Sequence, residues 1–302
     1  MSSAKMKIET VLERDEWQSR AAAHRARLAP FVEAHLARRS RREKHPVYDF
    51  LFEYYSFRPA LLLKWSPGIG VELRGESGEL SSPKEWSPTP DGIALDPAKF
   101  PSHRFEGLLQ IAQILEKTAS RAAFHGCFGL HEWAMVYRES EHRHAAPLRL
   151  SNQEIAALVE SGPIRCSHYD AFRFFTPAAR PLNVLHPSAD SRAEMEQPGC
   201  IHANMDLYKW AAKFHPWIAS EILAAAFEIA IEARVLDMRA APYDLSSYGF
   251  EPIRIETAAG RAEYGQLQRE VAQRAAPVRA ALIGAYRNLA VAVESTQNRW
   301  KS

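Results

Sequence analysis

Between Glu196 and Trp210 the chain reads EQPGCIHANMDLYKW, a run unusually dense in side chains that can take part in chemistry. Pro198-Gly199 marks a turn, and the apolar positions Met205, Leu207, Trp210 and Ala211 predict a helix starting near His202 or Asn204. On that helix His202 and Asp206 stand four residues apart and share a face. An imidazole and a carboxylate so placed suit a shared metal ion, an oriented acid/base pair or a local hydrogen bond. A second such pair, His168 and Asp170, lies in IRCSHYDAFRFFTP, from Ile164 to Pro177. Aromatic and polar residues alternate there, which predicts an extended segment with His168, Asp170 and Phe172 on one face and Tyr169, Ala171 and Arg173 on the other. In both pairs a neighbour can set the proton affinity of the carboxylate, as acid/base catalysis requires. A buried polar network that fixes loop connections would need the same residues.

Further polar groups fall on apolar backgrounds. In HPVYDFLFEYYSFRP, Pro46 suits the first turn of a helix, and His45, Asp49 and Glu53 would then form a polar stripe at four-residue steps. Polar groups facing a core are costly without partners, so the stripe lines a cavity or faces solvent. A carboxylate-bridged metal site typically uses two Glu-x-x-His motifs. The chain offers that spacing at Glu139-Ser-Glu-His142, among charged neighbours that suggest a solvated helix end. His45, Asp49, His202, Asp206, Glu228 and Glu232 could supply a different nitrogen and oxygen ligand set. Walker, GxSxG and GxGxxG patterns are absent, and Gly68-Ile-Gly70 lacks the third glycine of a phosphate turn. Cys127, Cys166 and Cys200 have no CxxC spacing and read as buried thiols. Trp133, Tyr137, Tyr169, Phe172, Tyr208 and Trp210 could stack on a planar ligand or simply fill the core.

The elements that must position these groups are mostly helices. An apolar stripe of Leu12, Trp17, Ala21, His24 and Leu28 predicts helix over residues 8–43, bent or divided at Pro30. Residues 65–104 are rich in Pro, Gly and Ser, with short alternating pieces at 70–74 and 92–95 that suit one small hairpin. Helix returns over 105–124 and again over 130–138, and Ser151-Asn-Gln-Glu154 is a capping box opening a helix that closes near Gly162. Residues 178–200 read as loop. Ser220 to Met238 is apolar almost all round, which predicts a helix in the middle of a bundle. Residues 252–256 read as a strand, and 261–294 as helix divided near Pro277. The expectation is a mainly α fold with a small β component and long irregular loops, as a single domain over 1–302 with an N-terminal helical segment at 1–44.

Composition bounds the partners. A hydrophobic content of 46% in 302 residues supports a packed core. No apolar run approaches a membrane span and the first twenty residues lack a signal-peptide core, so a cytoplasmic protein without a membrane partner is expected. A formal net charge of +2 does not demand nucleic acid, although Arg38, Arg39, Arg41, Arg42 and Lys44 form a local basic cluster. That cluster either meets phosphates or solvates a helix end.

Five peptides, HPVYDFLFEYYSFRP, GLHEWAMVYR, HYDAFRFFTPAARPLN, EQPGCIHANMDLYKW and LDMRAAPYDL, lie between His45 and Tyr264. Together they resemble a bacterial family, frequent in actinomycetes, of 3-methyladenine DNA glycosylases. The glycine-rich hairpin of the helix-hairpin-helix glycosylases is not found here. The resemblance implies cleavage of the N-glycosidic bond of an alkylated purine in DNA, with no metal or other cofactor. Asp170 and Asp206 would supply the carboxylate, with His168 and His202 orienting it. Trp133, Tyr169, Tyr208 and Trp210 would hold the extruded base, joined by His45, Asp49, Glu53, His131 and Glu132 as substrate-binding candidates. Arg38, Arg39, Arg41, Arg42 and Lys44 would contact DNA phosphates. Two alternatives stay open: an oxygenase or hydrolase that binds a divalent metal in a helical bundle, and a non-enzymatic protein that binds a small planar ligand. Both enzyme readings expect His45, Asp49, His168, Asp170, His202 and Asp206 to meet at one cavity.

Overall fold

Apolar residues on most sides of Ser220–Ala240 leave this helix only a narrow face to give to water, and the computed structural model, which describes residues 7–75, 84–139 and 146–297, packs it centrally. Glu221 is its one exposed position. Ten helices and one four-stranded sheet are present among the described residues, so the fold is mainly α.

Five of the helices frame the molecule: α1 (Arg14–Ser40), α3 (Phe105–Ser120), α8 (Ile201–Lys213), α9 (Ser220–Ala240) and α10 (Ala258–Gln297). The α8 and α9 helices run against one another, α10 packs on α3, α8 and α9, and α1 closes on α9. Phe227 of α9 ties these layers together through ring contacts to Phe31, Phe52 and Tyr208 at 5.6, 5.8 and 5.1 Å. On α10 the buried positions Tyr264, Gln268, Val271, Ala275, Arg279, Leu282, Tyr286, Leu289 and Val293 recur every three or four residues, a seam like that of a coiled coil. Two of them bond across the interface: Gln268 Nε2 donates to Gly199 O at 2.7 Å and Arg279 to Asn204 Oδ1.

Five short helices, α2 (Phe50–Glu53), α4 (Leu130–Ala134), α5 (Asn152–Glu160), α6 (Tyr169–Phe172) and α7 (Arg192–Met195), hang on this frame. The α5 helix carries the expected capping box of Ser151 and Glu154. Strands β1 (Thr10–Leu12), β2 (Val71–Arg74), β3 (Trp86–Pro88) and β4 (Gly92–Leu95) are ordered β1-β2-β4-β3, with β1 parallel to β2 and the other pairs antiparallel.

Several boundaries differ from expectation. Neither Pro30 nor Pro277 divides its helix, because both lie on the exposed side, where the carbonyls they free, of Ala26 and Gln273, meet water. Residues 65–104 hold three strands, and residues 10–12 add a fourth. The 164–177 segment is not a strand: after a single bridge at Ile164, the His168 carbonyl accepts from Phe172 N and the chain turns into α6. Residues 252–256 form no strand, since Ile255 and Glu256 turn into α10. The helix at 45–57 shrinks to α2, and the one at 130–138 to α4. Of Glu139-Ser-Glu-His142, residues 140–142 lie outside the described residues.

Because Phe227 fills the junction of three helices, Phe227→Ala is expected to lower unfolding free energy by about 3–5 kcal/mol. Urea unfolding followed by far-UV circular dichroism measures this. A loss below about 1 kcal/mol would place the packing centre elsewhere.

Candidate functional site

Of the six charged residues on α9, two, Arg234 and Asp237, are buried. Three residues apart, they share a face, and Arg234 Nη1 donates to Asp237 Oδ2 at 3.2 Å and to Glu132 Oε1 at 3.1 Å. The guanidinium also lies 4.0 Å over the ring of Phe50. His131 Nε2 donates to Asp237 Oδ1 at 2.7 Å. Its position is set by backbone: Phe128 and Gly129 hold successive left-handed conformations, φ 48° and 71°, immediately before α4 presents His131 and Glu132. Left-handed backbone at a non-glycine residue is strained and persists where the surroundings impose it.

The α8 helix brings His202 to this group. Its Nε2 stands 3.9 Å from Asp237 Oδ2, and its ring meets that of His131 edge-on at 4.4 Å. One ligand-capable atom from each of His131, His202 and Asp237 lies within 4.8 Å of the others. A tetrahedral ion about 2.1 Å from each ligand needs ligand atoms roughly 3.4 Å apart, a small adjustment from this geometry. No other set of three His, Cys, Asp or Glu among the described residues comes as close.

His168 continues the cluster, stacked on His202 at 5.4 Å. Its Nε2 stands 3.5 Å from Asp206 Oδ2 and 3.6 Å from Glu196 Oε1, and neither ring nitrogen completes a hydrogen bond although the residue is 1% exposed. Asp206 accepts from Tyr55 Oη at 2.8 Å and from Lys209 Nζ at 3.1 Å. Lys209 bridges to Asp170, which also pairs with Arg192 at 2.7 Å. A cavity of about 20 Å³ lies beside this group, with His168, His202, Asp206, Glu132, Tyr54 and Phe174 among its lining residues. That volume suffices for one water or one ion.

The electrostatics are set by burial and charge together. Burial raises the Glu196 carboxyl. It would also raise Asp206 and Asp237, but the charges of Lys209 and His168 on the first, and of His131 and Arg234 on the second, outweigh it and hold both below the ordinary carboxylate range. Burial opposes protonation of His168, yet Glu196 and Asp206 raise it above its ordinary value. The carboxylates Glu132, Asp170, Glu196, Asp206 and Asp237 face the cations Arg173, Arg192, Lys209 and Arg234, and the raised imidazoles of His131 and His168 supply further positive charge.

Of the residues singled out from sequence, His131, Glu132, His168, Asp170, His202 and Asp206 are brought together here. His202 and Asp206, although on one helix, serve different partners, Asp237 for the first and His168 for the second. His45, Asp49 and Glu53 do not join them. His45 accepts from Val47 N and Tyr48 N and packs on Tyr48 and Tyr248. Asp49 pairs with His35 and Arg38, and Glu53 with exposed Lys44. Glu228 and Glu232 turn outward to Arg27 and Arg274, away from any ligand role. Trp133, Tyr208 and Trp210 are core: the Trp133 indole donates to Ala240 O, Tyr208 packs on Phe227, and Trp210 lies beneath Lys209. Tyr169 stacks under Arg192. Arg38 pairs with Asp49, and Arg41 with Glu43 at the surface. Sequence reasoning assigned no role to Arg234, Asp237, Glu196, Lys209 or Tyr55. For Arg234 and Asp237 the signal was charge within a helix apolar all round.

Comparison with protein-family models, curated proteins and solved structures returns no match for this chain.

His202 gives the cluster a pH signature. Burial, reinforced by the His131 charge, holds its imidazole well below the ordinary value, so the folded protein refuses a proton that the unfolded chain accepts below about pH 6.5. Its contribution to stability is complete above that pH and is lost as the pH falls. His131 has the opposite sign: burial lowers it, the Asp237 charge outweighs burial, and the stability it contributes is lost as the pH rises through its raised value. His202→Gln is therefore expected to flatten part of the fall in unfolding free energy between about pH 6.5 and 5 and to spare the alkaline limb. His215, pushed down by burial to about 4, and His24, His45 and His125, also lowered by burial, sustain the remaining slope. Urea titrations at stepped pH measure this, and an acid limb identical to wild type would refute the role given to His202.

Proposed function

We propose that the chain is a metal-dependent hydrolase of a small planar molecule, with His131, His202 and Asp237 as ligands to one divalent transition-metal ion. The observation that carries the reading is a largely buried His-His-Asp group whose ligand-capable atoms lie within 4.8 Å of one another, with the unsatisfied nitrogens of His168 beside it. Imidazole and carboxylate donors suit zinc, iron or manganese, and three protein ligands leave a position for water.

When bound, such an ion lowers the pKa of its water toward neutrality and polarises a substrate carbonyl. The surrounding residues divide the remaining work. Glu196, raised by burial, takes a proton from water, and His168, held protonated by Glu196 and Asp206, returns one to the leaving group. Asp206 orients His168 while Tyr55 and Lys209 fix Asp206. Arg234 and Glu132 stand behind the ligands and hold Asp237 in place. The rings of Phe50, Tyr54 and Phe174 on the cavity wall favour a planar substrate.

A second reading is excision of an alkylated purine. It is favoured by that aromatic wall with Asp170 and Asp206 behind it, since rings and carboxylates together attract a cationic base. Any planar substrate, the purine included, exceeds the 20 Å³ now open, so both readings require α2 and α6 to part.

Metal analysis separates the two. Protein incubated with Zn²⁺, Mn²⁺ or Fe²⁺ and desalted is expected to retain about one equivalent and to unfold at a higher temperature, while His131→Ala and Asp237→Ala retain less than about a tenth as much. Equal retention by Asp237→Ala, or none by wild type, would overturn the metal reading. Free base released from methylated duplex DNA by metal-free protein, and abolished in Asp206→Asn, would establish the second reading in its place.

A further inference from the structure

A separate cavity of about 550 Å³ opens at the C-terminal end of α1, across α2 from the buried centre. Arg39, Arg42, Lys44 and Arg58 line it together with Phe52 and Phe57. Its acidic residues are occupied. Asp49 is held by His35 Nδ1 at 2.9 Å and by Arg38 Nε at 3.1 Å, Glu43 by Arg41 at 2.8 Å, and Glu53 by Lys44 at 3.2 Å. Among the described residues Arg39, Arg42 and Arg58, all exposed, make no ion pair, so three arginines line this space without a carboxylate partner. Guanidinium presents paired N–H donors that match the oxygens of a phosphate.

The backbone at the rim sharpens the point. Glu43 N bonds back to Arg38 O and Arg42 N to Arg39 O, which closes α1 with Arg42 at φ 57°. Glycine is the usual residue at that left-handed position, because it has no Cβ to clash. Here an arginine occupies it, and its side chain lines the cavity. On the facing rim Ser56 is also left-handed, at φ 56°. The chain keeps side chains where the backbone alone would favour glycine.

We propose that this cavity is a binding site for a phosphate-bearing ligand of nucleotide size, with Arg39, Arg42 and Arg58 on the phosphate and Phe57 against its aromatic body. The volume falls within the range of small-molecule sites and exceeds what inorganic phosphate fills. The inference does not depend on the metal reading, since it uses none of the same residues.

Titration calorimetry of the full chain with AMP, adenosine, inorganic phosphate and a short DNA duplex tests it. AMP is expected to bind, adenosine at least about tenfold more weakly, and AMP affinity to fall with rising salt. Arg58→Ala and Arg42→Gly should each weaken AMP at least about tenfold. Arg42→Gly should meanwhile keep or raise the thermal midpoint, because glycine relieves the left-handed backbone, so lost binding cannot be put down to unfolding. Equal binding of AMP and adenosine, no binding of AMP, or unchanged AMP affinity in both variants would overturn the proposal. Binding of the duplex without AMP would overturn the small ligand in favour of a nucleic-acid backbone.

Discussion

The bond network from Arg234 to Asp237, Glu132 and His131 ties α4 to α9 through charges that no longer meet water. Charges removed from water cost several kcal/mol each unless geometry returns that energy, and breaking such a network costs about 3–5 kcal/mol. Arg234 and Asp237 sit on α9, Glu132 and His131 on α4, and the partners lie about a hundred positions apart in the chain. Packing of α4 on α9 is therefore fixed in register as well as in contact. Apolar surfaces slide past one another at small cost, whereas a guanidinium shared between two carboxylates does not. The strained pair Phe128-Gly129 is the local consequence, a backbone held out of its preferred region so that α4 can deliver its imidazole and carboxylate.

That rigidity shapes the chemistry available. Within one connected group the protein keeps an ionised Asp237, a raised Glu196, a raised His168 and a lowered His202. Neighbouring titratable groups pushed in opposite directions are what acid/base catalysis uses, because donor and acceptor can then coexist near neutral pH. The free volume beside them is that of a single water or ion, which favours chemistry on a small centre over capture of a large rigid group. The wide arginine-lined cavity, on the other side of α2, has the opposite character: open, basic, and shaped by rings.

Much of the frame was legible in the sequence because it follows from local rules. The apolar run in 220–238, the capping box at Ser151 and the turn at Pro198-Gly199 each depend on near neighbours, and each appears where the pattern placed it. The failures share a cause as well. Alternation in 164–177 suggested a strand, but a strand needs a partner along its length, and Ile164 alone found one, in Asn183. Pro30 and Pro277 were read as breaks because sequence does not say which side of a helix faces water. The stripe of His45, Asp49 and Glu53 presupposed a helix longer than the four residues that formed, so its members went to three different partners.

The sequence by itself determined a mainly helical protein, its principal helices, and the concentration of reactive groups around His168 and the 196–210 run, because hydrophobic period, capping and composition are properties of adjacent residues. Tertiary structure alone decided which groups meet. The pairing of His131 and His202 with Asp237, of His168 with Asp206 and Glu196, and the exclusion of His45 and Asp49 depend on how α4, α6, α8 and α9 cross. A crossing angle carries no signature in any short stretch of chain, since it results from the packing of all the helices at once.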